Sequence, residues 1–75
     1  MDEDRYTRLA RREAELAEAE LERSRSAWWY ALSQENDGMR DYFIRIATRA
    51  RFAGSNHAER ARQFEARASG LRPTG

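Results

Sequence analysis

Seventy-five residues with fourteen Arg, thirteen Asp or Glu, one His and no Cys make one small domain of formal net charge +1. The missing Cys excludes disulfides, zinc–thiolate centres and thiol nucleophiles, and a chain with no Lys and a single His is poor in groups that move protons or attack. The expectation is a non-catalytic protein with no cofactor, no metal site and no small-molecule substrate. The start Met1-Asp2-Glu3-Asp4 lacks the basic opening of a signal peptide, and the longest apolar run is only Ala27 to Leu32. A cytoplasmic protein that neither crosses nor coats a membrane is expected.

Val is absent, and only Thr7, Ile44, Ile46, Thr48 and Thr74 are β-branched, whereas Ala, Arg, Glu and Leu dominate. Local preference is therefore helical and the class is all-α. The first helix is expected over about 4–35. Its apolar residues Tyr6, Leu9, Ala10, Ala14, Leu16, Ala17, Leu21, Ala27, Trp28, Ala31 and Leu32 return at helical spacing on one face. Asn36-Asp37-Gly38 is the break: Gly38 can take the left-handed conformation that ends a helix, and Asn36 or Asp37 can cap the next.

The second helix is expected over about 39–70, with Met39, Tyr42, Phe43, Ile46, Ala47, Ala50, Ala53, His57, Ala61, Phe64, Ala68 and Leu71 on its inner face. The 4-3-4-3 spacing from His57 to Leu71 is that of a coiled-coil seam. Gly54-Ser55-Asn56, with Glu59 completing a capping-box pattern, predicts a kink near residue 54. Gly70 and Pro73 end the helix and leave a frayed tail at 71–75.

Folding at residue 37 gives an antiparallel helical hairpin in which residues whose numbers sum to about 74 face each other. Trp28 then meets Ile46, Leu32 meets Phe43, Leu21 meets Ala53 and Ala10 meets Phe64, large against small. Residues 1–37 hold ten acids and six Arg, and residues 38–75 hold three acids and eight Arg. That contrast predicts pairs across the arms such as Glu13 with Arg60 and Glu20 with Arg49. Sixteen large apolar residues besides Met1 make a thin core, and chains below about 80 residues without staples are marginal. A homodimer pairing two hairpins into a four-helix bundle would relieve this.

Two features point to binding. Trp28, Trp29 and Tyr30 cannot share one helix face, so Trp29 and Tyr30, with Ile44 across the turn and Phe52 further on, form an expected aromatic surface for docking another protein. This suits an adaptor, or an inhibitor of the kind phages and plasmids encode. The alternative is nucleic acid. Arg45, Arg49, Arg60 and Arg67 share a stripe with Phe52, Asn56 and Gln63, free of acids and about 33 Å long, that could follow a phosphate backbone.

Overall fold

The computed structural model describes residues 4–71, with Leu71 described by its backbone alone. Helix α1 spans Arg5–Ser33 and helix α2 spans Asp37–Leu71, packed side by side in a rod of 60 × 18 × 15 Å. The all-α hairpin expected from the sequence is present. Residues 72–75 of the expected frayed tail lie outside the described residues.

Asp4 starts α1: its carboxylate accepts the Tyr6 N–H at 2.9 Å, satisfying one of the unpaired donors of the first turn. The helix stops at Gln34, whose backbone is extended and whose N–H reaches back to the Ala31 carbonyl at 3.2 Å. The chain reverses over Gln34, Glu35 and Asn36 rather than at 36–38. Asn36 Oδ1 accepts the Met39 N–H at 3.1 Å and caps α2, so Gly38 lies inside the first turn of α2 and no described residue has a positive φ. Arg40 then clamps the turn, donating to the Gln34 carbonyl at 2.9 Å and pairing with Asp37 at 3.3 Å.

α2 is one helix through Gly54. The capping pattern of Asn56 and Glu59 starts no new element, because Gly54 is buried against α1 and its neighbours on both sides are held in the same helical packing. A Cβ at Gly54 would lie 3.1 Å from Leu21 Cγ and 3.2 Å from the Ala17 carbonyl oxygen. Glycine here is what allows the two backbones to approach.

The seam is made of small side chains throughout. Ala10, Ala17, Ser24 and Ala31 of α1, and Ala47, Gly54, Ala61 and Ala68 of α2, are buried and recur every seven residues. Ser24 Oγ donates to the Ala47 carbonyl at 2.8 Å, a reach that a hydroxymethyl group makes only where helices lie close. Along this row small faces small; of the expected large-against-small pairs, Leu21 packs on Gly54, one residue from the expected Ala53. Leu32 is 74% exposed, Trp28 41% and Leu16 39%, and no large side chain is fully buried. Among the described residues, no helix is long and apolar enough to cross a membrane.

Candidate interaction surfaces

With the seam closed by Ala, Ser and Gly, the large side chains form two flanks along the rod. The first is built on α1 by residues that alternate at three- and four-residue steps beside the seam, from Tyr6 through Leu9, Glu13, Leu16, Glu20 and Arg23 to Tyr30. From α2 it takes Phe43, Ile46, Ala53, His57 and Phe64. Tyr30 stacks on Phe43 with ring centroids 5.5 Å apart, and Tyr42 meets the edge of Phe43 at 5.4 Å. At the open end of the hairpin Tyr6 stacks on Phe64 at 6.3 Å, and the Arg67 guanidinium lies 5.9 Å from both ring centroids.

Two of the acids on this flank have partners within the chain. His57 Nδ1 meets Glu13 Oε2 at 2.5 Å, with both side chains about four-fifths buried. Since a carboxylate only accepts, the ring nitrogen donates. Glu20 pairs with Arg23 at 3.4 Å. Glu13 is thus held by His57 and Glu20 by Arg23, in place of the pairs with Arg60 and Arg49 read from the sequence. Glu20, Arg23 and Arg49 do line one shallow groove with Ile46, Ala50 and Ala53.

The second flank carries Leu21 and, one heptad later, Trp28. Trp28 of α1 and Thr48, Arg51, Phe52 and Ser55 of α2 line a groove of about 430 Å³ in which apolar wall predominates. Phe52 is 66% exposed. Towards the open end this flank turns polar, with Thr7, Arg11, Glu65 and Ser69 around a second hollow.

The four expected anchors are distributed over this framework. Tyr30 belongs to the first flank and Phe52 to the second. Trp29 projects outward with three quarters of its surface in solvent, and Ile44 is half-buried with its carbonyl accepting the Thr48 hydroxyl. Trp28 and Arg51 join Phe52 in the groove and lie outside the set expected from the sequence. Apolar spacing alone puts Trp28 in the seam, and the signal against that is the seven-residue row of Ala10, Ala17, Ser24 and Ala31 running beside it.

Of the arginine stripe, Arg45, Arg49 and Arg60 are exposed along α2, whereas Arg67 is engaged over Tyr6 and Phe64. No family model matches this chain, and no curated protein and no solved structure matches it.

Proposed function

We propose that the hairpin is a non-catalytic protein-interaction module, an adaptor or inhibitor, that docks another protein on the flank of Trp28 and Phe52. The observation that carries this reading is the groove between these two rings, one from each helix, both in solvent and both large enough to anchor an interface. Arg51 lines the groove, and residues 42–58 around it contain no acid. The partner that fits is an amphipathic helix with an apolar ridge and flanking carboxylates. Trp29, on the adjacent surface of α1, extends the apolar area from the expected set. Without Cys the fold needs no oxidising compartment, which is compatible with the cytoplasm.

Selection of displayed helical peptides on the immobilised hairpin tests this. Acidic amphipathic sequences are expected to be enriched, and Trp28→Ala should weaken their binding by about 2 kcal/mol with helicity intact. Equal capture by a Trp28→Ala, Phe52→Ala double variant would remove the proposal. The acid-free stretch of α2 also favours a second reading, nucleic-acid binding by Arg45, Arg49 and Arg60, with Arg67 stacked at the end of the stripe. That reading requires affinity for labelled RNA or DNA that falls steeply with added salt.

A further inference from the structure

The first flank differs from the second in length. Its apolar row runs from the Tyr6 and Phe64 stack at the open end, through Leu9, Leu16, Ala53 and Ile46, to Tyr30, Phe43 and Tyr42 at the turn. A local groove suits a short segment, but a row that spans the rod suits another rod. From its 60 Å length and 15 to 18 Å width, the face has a footprint of about 900–1,100 Å², above the roughly 800 Å² per partner of a standard interface. Several polar groups on this face already have partners within the chain, Glu13 with His57, Glu20 with Arg23 and Arg67 over two rings, while the exposed guanidinium of Arg49 borders it and can stay at its solvent edge.

We propose that a second copy of this chain covers the flank of Leu16, Tyr30, Ile46 and Phe64, antiparallel, so that two hairpins form a four-helix bundle with their turns at opposite ends. This goes beyond the docking of another protein and leaves the groove of Trp28 and Phe52 open on the outside.

Charge selects the direction. Residues 4–12 and 59–71, the open end, hold seven Arg against three acids. Residues 23–48, the turn end, hold four Arg against three acids. A parallel pair stacks two strongly positive ends, whereas an antiparallel pair sets each positive end against a nearly neutral one. The antiparallel arrangement also lays the Tyr30 and Phe43 pair of one copy over the Tyr6 and Phe64 pair of the other. It brings Glu13 level with the other copy's residue 23, an Arg.

Light scattering on the eluting protein should give twice the 8.8 kDa chain mass. A double variant Leu16→Glu, Ile46→Glu should dimerise about tenfold or more weakly with its helical circular dichroism retained, while Trp28→Ala dimerises as the native chain does. A spin label on Glu35→Cys, whose background leaves the seam intact and holds no other Cys, reads the direction directly. Turns at opposite ends place the two labels on the order of the 60 Å rod length apart, and turns at one end within its 15 to 18 Å width. A single-chain mass at millimolar concentration, dimerisation unchanged in the Glu double variant, or the short label distance would each overturn the proposal. Loss of peptide capture by the groove would not touch it.

Discussion

Ser24 is the one polar side chain buried in the seam among the described residues, and its hydroxyl has a single place to go. The Ala47 carbonyl it donates to also lies within α2, where helical geometry pairs it with the Arg51 N–H, so the hydroxyl uses the oxygen's second lone pair. Ser24→Ala removes the donor without orphaning the carbonyl, and the expected loss is about 1 kcal/mol in urea unfolding. A loss under about 0.3 kcal/mol would mean that the bond does not help hold the helices in register. In the sequence Ser24 sits between Arg23 and Arg25 and reads as surface. Apolar periodicity cannot find it, because the property shared by Ala10, Ala17, Ser24 and Ala31 is size and not hydrophobicity. The same blindness moved Trp28 and Leu32 into the seam: both are at helical spacing from it, and only the width of the contact excludes them.

At the scale of the helix, Gly54 carries both a local signal for a break and a close contact with α1. Glycine within a helix costs about 1 kcal/mol relative to alanine, and Asn56 with Glu59 resembles a helix start, so a kink was the local expectation. The close approach of Leu21 and the Ala17 carbonyl accompanies a helix that runs on through Gly54 without a break. Gly54→Val should lower stability by about 2–3 kcal/mol, read as a fall in the thermal midpoint, because the Ala17 carbonyl belongs to α1 and cannot retreat without opening the seam. Unchanged stability would show that the helices separate at no cost there. The hairpin itself was legible, since helical propensity with one polar break at Asn36 admits little else, and the cap on Met39 is the one that Asn chemistry anticipates. The turn lay one or two residues early because Asn36 caps α2 directly and Gly38 is not needed to end α1.

For the molecule as a whole, a seam of small side chains means that two helices alone bury little apolar surface, and the aromatic and aliphatic groups that would normally make a core stand on the flanks. Composition revealed the shortage, but only the register reveals which groups are left outside. The seam also has a consequence for size. Its rows repeat every seven residues with near-equivalent occupants, Ala10, Ala17, Ser24 and Ala31 opposite Ala47, Gly54, Ala61 and Ala68. Each heptad pair is therefore a near-equivalent module, and the length of the rod follows from how many modules lie between the Asp4 cap and the turn at 34–36. Duplicating residues 10–16 together with 61–67 should give a folded hairpin whose maximum dimension in small-angle scattering grows by about 10 Å, seven residues at 1.5 Å each. A chain that unfolds on receiving the extra module would show that its ends, and not its repeat, set its length.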